Sequence, residues 1–183
     1  MPTTTVQTFT ALLTVMVIAF TAVVIGCRVV AGRSATATAV LDAIAPIADG
    51  LGAAIAAGCM AGSLYFSEVA HYLPCTLCWY QRIAMYPLAV ILTIAAFRRD
   101  HGMRLYVVAI AALGAMVSTY HWFLERFPSL DSGACSASIP CEFIWFEKFG
   151  FVTLPLMAFT GFAAIINLVT LDRPRNAAFN EEI

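Results

Sequence analysis

The sequence predicts an all-α integral membrane protein: a four-helix transmembrane bundle plus one extra N-terminal transmembrane helix. Three observations carry this. Of 183 residues, 61% are hydrophobic and 11% charged, whereas a soluble domain carries about 25% charged residues. The apolar residues gather into five segments, each near the ~20 residues that a helix needs to cross ~30 Å of hydrocarbon. None alternates with the period of a β-barrel strand, so helices are what satisfies the backbone in lipid. A net charge of −1 and the absence of a basic run give no argument for nucleic acid.

The five predicted spans cover residues 8–31, 50–69, 79–97, 105–124 and 151–171. The first resembles a signal peptide only loosely, because no positively charged stretch precedes it. Val24-Ile25-Gly26-Cys27 looks like a lipoprotein cleavage site, which would place a lipid on Cys27 and remove this span. Residues 34–49 form a small, Ala-rich connector with room for a short helix. Pro74 biases Leu73 away from helix, so the third span starts at or just after Cys75. Residues 126–150 make a long loop. Its first half is broken by Pro128, Ser129, Asp131, Ser132 and Gly133. From 141 to 149 it turns apolar again, which predicts a short helix lying in the membrane interface. This reading divides the chain into residues 1–49 (extra helix and connector), 50–171 (four-helix bundle) and 172–183 (polar tail).

Orientation follows from Arg and Lys. Seven of the ten fall on one side: Arg28, Arg33, Arg98, Arg99, Arg104, Arg173 and Arg175. Only Arg82, Arg126 and Lys148 fall on the other. The connector, the 98–104 turn and the tail are therefore expected in the cytoplasm, and the chain's start outside. Trp79, Trp122 and Trp145 sit at outer span ends or in the outer loop, as interfacial anchors do.

Two close cysteine pairs, Cys75-Thr76-Leu77-Cys78 and Cys135 with Cys141, then share the outer face. Thiol–disulfide exchange needs a thiolate and access. A helix starting near Cys75 places Cys78 in its first turn, where free N–H groups and the helix dipole favour thiolate. Arg82, one turn further, adds positive charge, and a charge just inside an apolar span marks a functional site. Structural disulfides are the plain alternative in an oxidising compartment, although a two-residue ring removes little chain entropy. A zinc site is another, drawing on His71, Cys75, Cys78 and His121. The two histidines otherwise read as interface residues near Glu68 and Glu125. Trp79 stands where a CxxCH haem attachment needs histidine. Cys27 and Cys59 read as small apolar residues within spans.

The stretch Pro74-Cys75-Thr76-Leu77-Cys78-Trp79-Tyr80-Gln81-Arg82 resembles the DsbB/BdbC family of disulfide-bond formation proteins. Ser63 to Tyr72 before it, Met85-Tyr86-Pro87-Leu88 after it, Pro140-Cys141, and Gly150 to Pro155 extend the likeness, closer to the BdbC branch. The resemblance covers roughly residues 50–171, with the first span an addition to the usual four helices. It implies that a secreted or membrane-anchored thioredoxin-fold oxidase, DsbA- or BdbD-like, delivers electrons to the loop pair. Cys135 would form the mixed disulfide with that partner, and Cys141 would exchange with Cys75. Cys78 would form the adduct with a membrane quinone, ubiquinone or menaquinone, and Arg82 would polarise the quinone oxygen. No metal is implied. The resemblance further implies a bacterial cell membrane location with both pairs extracytoplasmic. A thiol-reductant conduit running electrons outward would need a cytoplasmic-side thiol, and only Cys27 and Cys59 are candidates. A non-enzymatic membrane subunit would carry only structural disulfides. A vitamin K epoxide reductase-like arrangement has the loop pair before the CxxC, the reverse of this order.

Overall fold

The computed structural model describes residues 2–98, 102–131, 133, 135 and 139–171, and every regular element among them is helical. Arg99, Arg173, Arg175 and the predicted tail 172–183 lie outside the described residues. The helices are α1 (Thr3–Val30), α2 (Ala35–Ile44), α3 (Ala48–Leu64), α4 (Thr76–Arg98), α5 (Arg104–Arg126) and α6 (Leu154–Val169). The predicted connector holds α2, which Ser34 caps by accepting the Ala37 amide at 3.3 Å. A 3₁₀ turn at Ala45–Ile47 joins α2 to α3, and a π-turn at Tyr65–Val69 prolongs α3. The stretch Ala35–Val69, α1, α4 and α5 are each long and apolar enough to cross a membrane. The fifth predicted span is shorter: α6 has 16 residues, about 24 Å of helix. Extended Thr153 and Pro155 in the first turn delay its start.

The core lies where α3, α4, α5 and α6 meet, around Leu88, Leu92, Val107, Phe162 and Ile165, all at most 1% exposed. Gly114 on α5 lies against the Phe162 ring so closely that an added Cβ would overlap it. Small residues permit this kind of close helix approach in bilayers.

The extra helix α1 packs along α6 and α2. Its inward stripe is Gln7, Ala11, Thr14 and Val24, all buried, while Leu12, Met16, Val23 and Ile25 are exposed. Arg28 anchors its C-terminal end. Its Nη1 donates to the Asn167 carbonyl and side-chain oxygens, both at 3.0 Å, and its Nη2 donates to the Thr170 carbonyl at 3.0 Å. Arg104 donates to the Val169 and Leu171 carbonyls at 2.6 and 2.5 Å. Two cations thus satisfy the C-terminal carbonyls of α6, the negative end of its dipole.

The expected interfacial helix at 141–149 does not form. The segment is a run of turns closed by an antiparallel bridge between Lys148 and Val152, with positive φ at Phe149 (56°) and Gly150 (76°). Its side chains are drawn to separate partners instead. Trp145 stacks on Tyr72 at 4.5 Å, Phe146 packs on Phe66 at 5.3 Å, and Glu147 pairs with Arg126 at 2.7 Å. Nine residues gain too little from helix alone to outweigh these contacts.

Candidate functional site

Helix α4 begins between the two cysteines of the first pair. The Cys75 carbonyl accepts the Trp79 amide at 3.1 Å, and the Cys75 sulfur accepts the Cys78 amide at 3.3 Å. Cys75 is thus the N-cap, with its sulfur where a capping oxygen would sit. Cys78 occupies the first turn, as the spacing predicts. The two Sγ atoms are 2.8 Å apart and share a hydrogen bond. The Cys75 thiol is lowered to about 4. The hydrogen bond with Cys78 is the largest cause, burial opposes it, and a hydrogen bond from His121 adds to it. The Cys78 amide and His121 both face the Cys75 sulfur and favour its thiolate, and the two cysteines titrate as a coupled pair.

His121, on α5, is buried, not interfacial, at 3% exposed. Its Nδ1 lies 2.9 Å from Gln81 Nε2. With the Gln81 amide donating there, Nε2 carries the proton. That Nε2 sits 3.7 Å from Cys75 Sγ and 3.1 Å from the Cys141 carbonyl. The sequence places His121 beside Cys75 and Cys78 only as a candidate zinc ligand, and Gln81 only within the motif; packing of α4 against α5 brings both to the cysteines.

Cys135 and Cys141 form a disulfide with Cα atoms 5.9 Å apart. Cys141 is 1% exposed and packs with Cys75, Leu77 and Leu124, with Cys78 and Cys135 at the edge of the same cluster. Cys135 is half-buried. The two pairs therefore meet around His121, one oxidised and one as a dithiol.

Cys75, Cys78 and His121 offer ligand atoms within 4.8 Å of one another, and exposed His71 lies outside this group.

Cys78 and Arg82 line a cavity of about 400 Å³ between α1, α3, α4 and α6. Arg82 Nη2 donates to the Ser63 carbonyl at 3.0 Å, and the guanidinium lies 5.3 Å from the Trp79 ring centre. Gln81 and Arg82 are polar groups in an otherwise mainly apolar wall, the composition of a small-ligand site. Cys59 lines the same cavity, deep in the bundle. Cys27 and Cys59 are free thiols.

The family model described as disulfide bond formation protein DsbB matches residues 47–171. A "Probable disulfide formation protein" of Oceanobacillus iheyensis is 44% identical over 111 residues, covering 60% of this chain and 77% of the relative. A "Probable disulfide formation protein C" of Halalkalibacterium halodurans is 47% identical over 107 residues, covering 58% and 78%. The "Disulfide bond formation protein C" of Bacillus subtilis is 42% identical over 113 residues, covering 61% and 82%. No solved structure matches the chain. With its membrane-spanning helices and its paired cysteines, the chain belongs to the DsbB family of disulfide bond formation proteins, as a multi-pass membrane protein acting in disulfide bond formation.

Proposed function

We propose that the chain is a membrane thiol:quinone oxidoreductase that reoxidises a thioredoxin-fold disulfide oxidase outside the cytoplasm. The observation that carries this reading is the meeting of both cysteine pairs around His121, beside a cavity that Cys78 lines.

A reduced partner's thiolate attacks Cys135, the more open sulfur of the loop disulfide. A partner–Cys135 bond forms and Cys141 leaves as thiolate. The partner's second thiolate then breaks that bond, leaving oxidised partner and two loop thiols. The Cys141 thiolate attacks Cys75 of a Cys75–Cys78 disulfide, and Cys78 leaves as thiolate. Cys135 closes on Cys141 and releases Cys75. Two electrons now reside on Cys75 and Cys78, with the loop disulfide restored, which is the redox arrangement of the structure. The His121 N–H faces the Cys75 sulfur and stabilises its negative charge. The Cys141 carbonyl on the same N–H keeps the loop in register for the exchange.

A membrane quinone, ubiquinone or menaquinone, fits the cavity in size and lining and supplies a two-electron acceptor when bound. Cys78, Gln81 and Arg82 would hold it, with Arg82 as the cation beside the reactive sulfur. The positive-inside pattern supports both pairs lying on the extracytoplasmic face.

The decisive experiment mixes purified protein, quinone and a reduced thioredoxin-fold oxidase. Cys78→Ser abolishes quinone reduction, and Cys135→Ser fails to trap the partner. Normal turnover in Cys78→Ser would sink the proposal.

A further inference from the structure

We propose that α1 is part of the quinone site, with Leu13, Thr14 and Val17 as its outer wall. The inference rests on the quinone reading above. It concerns a helix lying wholly outside residues 47–171, which match the family.

The cavity beside Cys78 and Arg82 takes one side from α3, α4 and α6 and another from Thr10, Leu13, Thr14 and Val17 of α1. Helix α1 packs along α6 and α2 and has no comparable packing on α3 or α4 among the described residues. The space between α1 and α3 is therefore left to the cavity. Facing residues on α3 keep it open: a Cβ added at Gly58 or Gly62 would meet nothing within 4 Å.

The helix is held in this position at both ends. At the N-terminal end, Gln7 Nε2 donates to the Tyr72 hydroxyl at 2.6 Å. Tyr72 also lines the cavity and lies three residues before Cys75. At the C-terminal end, Arg28 grips the C-terminus of α6. A helix that only anchored the chain in lipid would need neither bond. The buried stripe of Gln7, Ala11 and Thr14 is polar or small, and the lipid-facing side is apolar, as expected of a bundle member in a bilayer. The threonine hydroxyls are spent on their own helix: Thr10 donates to the Val6 carbonyl at 2.8 Å and Thr14 to the Thr10 carbonyl at 2.9 Å. The wall they offer is accordingly one for an apolar ring or tail. In this arrangement α1 shields the reactive sulfur of Cys78 from lipid on one side and sets the width of the site.

The test is photolabelling of the full-length protein in lipid with an azido-benzoquinone bearing a short isoprenoid tail. Mass mapping should place label on α1 around residues 13–17 as well as beside Cys78. Thr14→Leu should lower labelling at both places at least fivefold, while reduction of the Cys135–Cys141 disulfide by dithiothreitol is unchanged. Gly58→Leu, which fills the cavity from the opposite wall where there is room, should do the same and serves if Thr14→Leu fails to fold. Label confined to α3, α4 and α6, with α1 unlabelled and Gly58→Leu alone effective, would overturn the wall assignment and leave the quinone reading intact. Absence of label near Cys78 and Arg82 in the unaltered protein would overturn the quinone reading itself.

Discussion

At the scale of residues, the chemistry turns on how the Cys75 sulfur is held. Cys75 caps α4, accepts the Cys78 amide and lies 2.8 Å from the Cys78 sulfur. A thiol so lowered keeps its thiolate to lower pH than an ordinary cysteine, and loses that charge only as pH falls through its lowered value. Alkylation of Cys75 in the fully reduced protein should therefore persist to lower pH than that of an ordinary thiol of pKa ≈ 8.5. Cys78→Ala removes the largest cause of the shift and should raise the alkylation midpoint by about one to two pH units or more. His121→Ala should raise it by less. Mass spectrometry of alkylated peptides across a pH series reads both, and unchanged midpoints in both variants would refute the account. The CxxC spacing and Arg82 are visible in sequence because they are local. The hydrogen bonds that His121 makes with Gln81 and the Cys75 sulfur are not, because they span positions 81 and 121 on different helices. Their meeting depends on α4 and α5 packing side by side.

At the scale of elements, helices announce themselves by composition and their ends by punctuation. The predicted spans at 79–97 and 105–124 became Thr76–Arg98 and Arg104–Arg126, one to three residues longer at each end. Fraying and capping decide such margins. The 141–149 segment misled because its apolar residues suit an interfacial helix in isolation. In the fold they are claimed singly by Tyr72, Phe66 and the Lys148–Val152 turn. Packing between elements is tightest at Gly114, where Phe162 occupies the place of a side chain. Gly114→Ala should cost about 1–3 kcal/mol by overpacking and lower the thermal midpoint in detergent by several degrees. Arg28→Ala should loosen α1 from α6, making the α1–α2 turn an early site of limited proteolysis while the 47–171 bundle persists. A variant as protease-resistant as the unaltered protein would show that the Arg28 contacts add nothing.

At the scale of the whole molecule, the charge pattern predicts that the two cysteine pairs and the arginine-rich turns lie on opposite membrane faces. A membrane-impermeant maleimide applied to reduced, intact cells or right-side-out vesicles should label Cys135, and it should miss a cysteine placed at Gly32 or Met103 until the membrane is opened. Equal labelling from both sides would reverse the orientation. The sequence by itself determined that this chain lives in lipid, how many apolar segments it has, and which four thiols are paired. Those properties depend on composition and short spacing, which survive without a fold. Only the tertiary structure decided that the pairs meet at His121 and that α1 walls the cavity. Each of these is a contact between residues far apart in the chain. Such contacts arise when helices choose neighbours, and in a bilayer that choice rests on small residues, caps and buried polar bonds, not on hydropathy.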